Sequence, residues 1–337
     1  MASPLFIADL EFSRAVIQAP MAGGITTPEL VAAVSEAGGL GSLGAGYLTP
    51  EAIIDATHAI RALTPTPFAI NLFAPTHDAP GCDTDQALNA LKACYADAGV
   101  EMPTTFSTMP DFDAQFEAML SVQPALLSFT FGLLDRKYID ACRARHIALV
   151  GTATTVFEAN GLARSGVDAI VLQGEEAGGH CGSHNPAGAG QPLLPLISEC
   201  RAHIALPLIA AGGLMSTLDI HRALQAGADA AQCGTAFLLA DEAGTSDTWR
   251  RALKDTHESD ATDITYAVSG RAARGLKNAW MGPQAPRDLA PYPMQHQLTA
   301  PLRRQSTGPK WKSLWAGKQV HHIRSGSAAD ILETLTH

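Results

Sequence analysis

One run of the 337-residue sequence concentrates its candidate chemistry: Gln173-Gly174-Glu175-Glu176-Ala177-Gly178-Gly179-His180-Cys181-Gly182. Glycines let backbone approach a planar ligand, and an imidazole among small residues is free to reach substrate, so His180 is the leading candidate for a catalytic base. Its neighbours offer less. Adjacent side chains on an extended segment point to opposite sides, so Cys181 and His180 do not form a nucleophile–base pair and Cys181 is expected to be inert. Glu175 and Glu176 diverge for the same reason, which leaves a glycosidase-type carboxylate pair with little support. His180 and His184 share i, i+4 spacing, but Gly182 and Pro186 oppose the helix that would bring them to one metal, and no metal is assigned.

A second signal is a pair of glycine-bearing segments, Ala210-Ala211-Gly212-Gly213-Leu214 and Gln232-Cys233-Gly234-Thr235-Ala236. Backbone N–H groups at glycines can approach phosphate oxygens without a side chain between, so the two together suggest a phosphorylated ligand. Gln18-Ala19-Pro20-Met21-Ala22-Gly23-Gly24 offers small residues and a flexible thioether, with Met21 suited to core filling or to a pocket wall. Asn71 carries an amide able to hold a polar ring edge or to fix its own loop.

These residues need a scaffold that collects them, and the hydrophobic pattern supplies one. Eight strand candidates (16–21, 39–46, 67–73, 125–132, 148–154, 169–173, 207–212 and 230–234) alternate with stretches of helical period at 27–37, 50–63, 85–98, 134–145, 156–165, 194–203 and 217–226. Several helices open with a Thr or Ser N-cap. This is the pattern of an α/β TIM (β/α)8 barrel, whose chemistry sits at the C-terminal strand ends and whose phosphate sites follow strands 7 and 8. An open doubly wound sheet would place G-x-G-x-x-G after the first strand, and Ala19–Gly24 does not fit. The alternation stops after Leu239. Residues 1–240 are read as the main part of the barrel, 241–300 as a smaller inserted substrate or lid domain, and 301–337 as a C-terminal return to the barrel. The 75–110 segment is long for a connection between strand and helix.

Composition bounds the partners. Lys and Arg total 23 against 33 Asp and Glu, a net charge of −10 that disfavours nucleic acid. The six cysteines, at 82, 94, 142, 181, 200 and 233, contain no C-x-x-C pair and read as reduced thiols. With neither a leader pattern nor a long apolar run, a cytoplasmic protein without membrane contact is expected.

Taken together, the motifs resemble the FMN-dependent nitronate monooxygenases, formerly 2-nitropropane dioxygenases. The resemblance rests on Gln18–Gly24 with Thr27-Pro28-Glu29, Asn71-Leu72-Phe73, Ser128–Gly132, Gln173–Gly182, Ala210–Leu214, Gln232–Phe237, Ser269-Gly270-Arg271 with Arg274-Gly275, and Trp315-Ala316-Gly317. It implies a barrel binding FMN non-covalently, contacted by Asn71, Gln173, Gly178, Gly213 and Gln232, Cys233, Gly234 and Thr235, with the backbone of Met21 and Ala22 facing the isoalloxazine. His180 corresponds to the family's active-site histidine, binding the nitronate oxygens or removing the α-proton of a neutral nitroalkane, and Tyr292 is a further candidate for the substrate pocket. The implied reaction takes an alkyl nitronate, propionate 3-nitronate among them, and O2 to a carbonyl compound and nitrite through a flavin semiquinone.

Two features depart from the resemblance. The fourth strand end, Ser128–Gly132, lacks the lysine some relatives carry there, and Ala316-Gly317 continues with Lys318 before Gln319. The rival reading on the same barrel is an NAD(P)H-dependent flavin reductase acting on a quinone or an enoyl-acyl-carrier-protein. A flavin-binding sensor without turnover is opposed by the His180 loop, and an aldolase by the lack of a lysine at any strand end.

Overall fold

The structure is a computed structural model and describes residues 4–75 and 84–336; Cys82 and part of the long 75–110 segment lie outside the described residues. Eight parallel strands form the centre: β1 (Val16–Gln18), β2 (Ser42–Gly44), β3 (Ala69–Phe73), β4 (Leu126–Thr130), β5 (Ala148–Ala153), β6 (Ala169–Gln173), β7 (Leu208–Ala211) and β8 (Ala230–Cys233). Their order is β1-β8-β7-β6-β5-β4-β3-β2. Hydrogen bonds from Gln18 N to Leu40 O (3.0 Å) and from Leu40 N to Val16 O (3.1 Å) join the two ends, so the sheet closes as the expected TIM barrel.

Alternation along each strand explains the layering. In β3, Ala69 points into the barrel and Ile70 and Leu72 point out under the helices, and the same division runs through β6, with Ala169 and Val171 inside and Ile170 and Leu172 outside. A hairpin of Leu5–Ile7 with Leu10–Phe12 adds Leu5, Ile7 and Phe12 to the interior beside β1. Continuing each inward file by two residues reaches Asn71, Thr152, Gln173 and Gln232, so the apolar filling gives way to polar groups at the C-terminal strand ends.

The wall comprises α1 (Pro28–Glu36), α2 (Pro50–Leu63), α4 (Phe112–Val122), α5 (Arg136–Arg143), α6 (Val156–Ser165), α7 (Leu193–Arg201), α8 (Thr217–Gln225) and the C-terminal α11 (Ala328–Thr336), which lies against α1 and α8. The expected caps are present: Thr27, Thr49, Thr155 and Ser216 each accept a backbone N–H from the first turn of their helix. One element is placed differently from its sequence reading. Residues 85–98 do form a helix, α3 (Thr84–Ala98), but it packs on α10 (Met294–Gln305) instead of the barrel, and α4, capped by Asp111 and absent from the sequence reading, stands beside α2. Burial decides the exchange: Leu91 and Tyr95 of α3 find Leu298, Leu302, Trp280 and Trp311, whereas Phe116 and Met119 of α4 fill the barrel wall.

Between α9 (Asp247–Lys254) and α10, strands Thr262–Thr265 and Ala273–Leu276 pair antiparallel, and the second also pairs with Gly179–His180. The His180 segment, read from sequence as loop, is therefore an edge strand, because its partner lies some ninety positions away in the chain and leaves no local trace. α10 runs through residue 300 without a break despite Pro301. Among the described residues no helix is long and apolar enough to cross a membrane.

The barrel seam supplies a stability test. Gln18 is fully buried; its side chain accepts from Ser42 N (3.1 Å) and donates to Ser42 O (3.3 Å) and to Ala19 O. Gln18→Met keeps the volume but strands both Ser42 groups, so stability should fall by about 1–3 kcal/mol, read as a lower urea midpoint with an unchanged denaturant slope.

Candidate active site

A cavity of about 650 Å³ opens at the C-terminal ends of the strands, within the size range of cofactor and substrate pockets. It gathers Met21, Ala22, Asn71, Gln173, Gly178, His180, Gly213, Gln232, Cys233, Gly234 and Thr235, drawn from five strand ends. Tyr292 does not line it; its ring stands behind the wall, with centroids 6.1 Å from His180 and 5.6 Å from Phe131.

The floor is backbone. Gly212 and Gly213 have φ of +117° and +70°, conformations that side chains disfavour, and so turn the chain after β7 toward the cavity. A Cβ on Gly178 would lie 2.5 Å from Ala316 C and 2.6 Å from Gly317 N, so the loop after β6 and the C-terminal segment meet main chain to main chain. Thr235 Oγ1 accepts from Gly317 N at 3.0 Å, which leaves its hydroxyl hydrogen for a ligand. The fit to a flat, phosphate-bearing cofactor is good: glycine surfaces at the seventh and eighth strand ends and a donor hydroxyl face one cavity.

His180 is held from three directions. Gln173 donates to His180 O (3.1 Å) and accepts from Gly182 N (2.6 Å), so its amide is occupied in fixing the histidine loop. Pairing with Ala273 fixes the main chain from the other side. On the ring, Nε2 lies 2.8 Å from the hydroxyl of Ser269, a residue with no solvent exposure. Burial, together with the positive charges of Arg271 and Arg303, pushes the His180 pKa down to about 3, so the imidazole is neutral near pH 7. His180 lines this cavity, whereas Cys181 faces a separate small one and its thiol is pushed up by burial, in keeping with an inert side chain.

Around His180 runs a closed circuit of rings. His180 meets Phe131 (6.1 Å), Phe131 meets Phe73 (4.9 Å), Phe73 meets Tyr47 (5.1 Å), Tyr47 stacks on His296 (4.5 Å), His296 meets Tyr292 (6.5 Å), and Tyr292 returns to His180. Phe131 sits at φ +78°, a costly backbone state for a bulky residue, and is clamped by the Arg271 guanidinium 4.1 Å from its ring centroid. That guanidinium is buried, donates to Ser183 O at 2.7 Å, and among the described residues leaves Nε and its other terminal nitrogen without an acceptor. Tyr47, Ser269, His296 and Arg303 were not picked out as site residues from sequence. Tyr47 had a usable signal, since it follows the second strand's Gly46 and the mouth of a barrel is built from such positions. Arg303, in an Arg303-Arg304 pair, reads as a solvated helix face.

A family model described as nitronate monooxygenase matches residues 6–337. A probable nitronate monooxygenase of Staphylococcus saprophyticus is 35% identical over 331 residues, covering 95% of this chain and 93% of that protein, and one of Bacillus subtilis is 34% identical over 326 residues, covering 94% and 93%. The solved structure of a nitroalkane oxidase from Streptomyces ansochromogenes superposes with a TM-score of 0.89 at 38% identity, covering 96% of this chain and 95% of that one. FabK from Thermotoga maritima, at TM-score 0.73 and 23% identity over 96% and 92% of the two chains, shares the fold. The match over nearly the whole length shows that this chain belongs to the nitronate monooxygenase family, and it is an oxidoreductase.

Proposed function

We propose that the protein is an FMN-dependent nitronate monooxygenase that converts an alkyl nitronate and O2 to a carbonyl compound and nitrite. The observation that carries this reading is a neutral His180, fixed by Gln173 and Ser269, on the wall of a cavity with a glycine floor. FMN would be held by the backbone of Met21, Ala22, Gly213 and Gly234, by the Thr235 hydroxyl, and by Asn71 and Gln232. Bound there, it supplies the electron acceptance and oxygen chemistry that side chains lack. Gln173 and Gly178 then shape this site through the loop they position. The lid reading of 241–300 becomes a cover built from that insert together with α3 and α10.

In this reading His180 binds substrate. A base holding its proton only below about pH 3 is poorly matched to a carbon acid, whereas a neutral imidazole donates well to a nitronate oxygen. Ser269 holds the ring in place: its Oγ lies 2.8 Å from His180 Nε2, accepts from Arg271 N (3.3 Å) and is within donating distance of Arg271 O (3.3 Å), which fixes the orientation of the imidazole. The aromatic circuit limits water around the substrate carbon.

Three measurements test this. Anaerobic mixing of the FMN-loaded protein with ethyl nitronate should change the flavin absorbance rapidly, and NADH should not; full bleaching by NADH alone would move the protein to the reductases. His180→Asn should lower kcat/KM for the nitronate by about 100-fold to 1,000-fold, the usual loss of an oxyanion donor, while Ser269→Ala, which frees the ring to turn, should cost about tenfold and Ser269→Thr should restore most of it.

Stability should follow the depressed histidine pKa. Below about pH 6.5 the unfolded chain takes up a proton that folded His180 refuses until about pH 3, so its contribution is whole above pH 6.5 and is lost as pH falls through that window. Urea unfolding of the holoenzyme at pH 6.5 and pH 5 should show His180→Asn losing less stability than wild type, by about 1–2 kcal/mol.

A further inference from the structure

The cavity carries charge of one sign. Among the described residues that line it there is no Asp or Glu, whereas Arg303, Arg304 and Lys312 all reach it, in a chain whose net charge is −10. Its two histidines add no charge near pH 7, since burial and neighbouring arginines hold His180 and His296 at about 3 and about 2.

The three cations are graded in depth. Arg304 is exposed, whereas Lys312, which donates to Arg304 O at 3.0 Å, and Arg303 are half-buried. Among the described residues Arg303 has only neutral partners: Thr299 Oγ1 (3.1 Å), Ser313 Oγ (3.1 Å), His296 O (3.0 Å) and His296 Nδ1 (3.3 Å). Burial lowers its pKa to about 10 with a further push from Arg304, so it remains charged near pH 7 without a carboxylate beside it. Lys318, also near the cavity, is committed to Glu175 at 2.6 Å. Desolvating a guanidinium against neutral oxygens alone is unfavourable, and an anionic ligand offsets that cost. Arg303 and Arg304 occupy the last turn of α10, where the helix dipole favours positive charge and fixes their position.

We infer that Arg304, Lys312 and Arg303 form a cationic entrance that captures substrate as an organic anion, making them the residues that select a nitronate over its neutral nitroalkane conjugate acid. The inference rests on the nitronate reading above and adds to it the route of entry and the basis of selection. At an ionic strength near 0.1 M, charges more than about 10 Å away are screened, so an approaching anion feels these three cations more than the acidic surface at large. Focusing by one-signed cavity walls raises capture rates by about 10-fold to 1,000-fold and fades with salt. A neutral nitroalkane experiences neither effect.

The test compares ethyl nitronate with nitroethane, which share a carbon skeleton and differ in charge, on the FMN-loaded wild type and Arg304→Gln/Lys312→Gln. Between about 10 and 300 mM ionic strength, wild-type kcat/KM for the nitronate should fall about fivefold to tenfold. The double variant should lose about as much at low salt, become nearly salt-independent, and keep its kcat at saturating nitronate, with nitroethane turnover changed equally little in both proteins. Salt-independent nitronate capture, or equal losses on the two substrates, would overturn the entrance. Nitrate, a planar unreactive oxyanion titrated against the flavin absorbance, separates this result from the proposed activity. If neither substrate is oxidised, the activity reading fails, but nitrate binding at least threefold tighter to wild type than to the double variant still supports the entrance; equal affinity, or no binding to either, rejects it.

Discussion

The structure turns on how the segment around His180 is pinned. A glycine-rich loop has high conformational entropy, and ordering it costs about 1–2 kcal/mol per residue. Here the cost is met by interactions from both sides: the Gln173 amide spans His180 O and Gly182 N from the end of β6, and Gly179–His180 pairs with Ala273–Arg274 on the other flank. The barrel and the later sheet thus hold opposite edges of one short strand. Ser269 and Arg271 then follow directly, because the chain that enters this pairing places a hydroxyl on the imidazole and a guanidinium on Phe131.

That arrangement concentrates unfavourable terms at the cavity. Phe131 is held at positive φ, and among the described residues Arg271 has two nitrogens without acceptors and Arg303 is partly desolvated without a carboxylate. Such costs persist only where surrounding packing over-determines them. That packing is present: the Phe131 ring is contacted by Phe73, Tyr292, His180 and Arg271, and α10 is anchored by Tyr95 OH to Leu298 O (2.8 Å) and by Gln295 to Ala267 O (2.9 Å). Helix α3, though distant in sequence from α10, therefore contributes to the site by holding the helix that bears His296 and Arg303.

What was legible in the sequence follows from which signals are local. Short apolar and β-branched runs, N-cap threonines and glycines at strand ends are encoded within a few residues, so the eight strands and the glycine-bearing strand ends could be read from Val16 to Thr235. The placement of α3 was not legible, because an amphipathic helix announces that it has an apolar face and not which surface will cover it. For Ser269 the sequence carried only a motif; its bond to His180 joins residues 89 positions apart. Gln173 lines the cavity, but whether its amide faces ligand or its own loop depends on the path of residues 174–182, which sequence does not give.

The acidic residues near the mouth explain how an acidic protein keeps a cavity whose described lining has no negative charge. Glu176 accepts from Leu193 N at the start of α7, Glu175 pairs with Lys318, and buried Glu158 accepts from Thr154, from Ser183 Oγ and from His184 N. Each carboxylate is engaged by a group it positions, and none of the three lines the cavity. Glu158 is held below the usual carboxylate range by those donors in spite of its burial, so it stays ionised while tying β5 to the loop beyond His180. Adjacent Glu175 and Glu176, which as a catalytic pair would have placed two negative charges at the cavity, instead brace its rim. Negative charge is spent on rigidity at the rim, and positive charge is left facing the space where an anion would be bound.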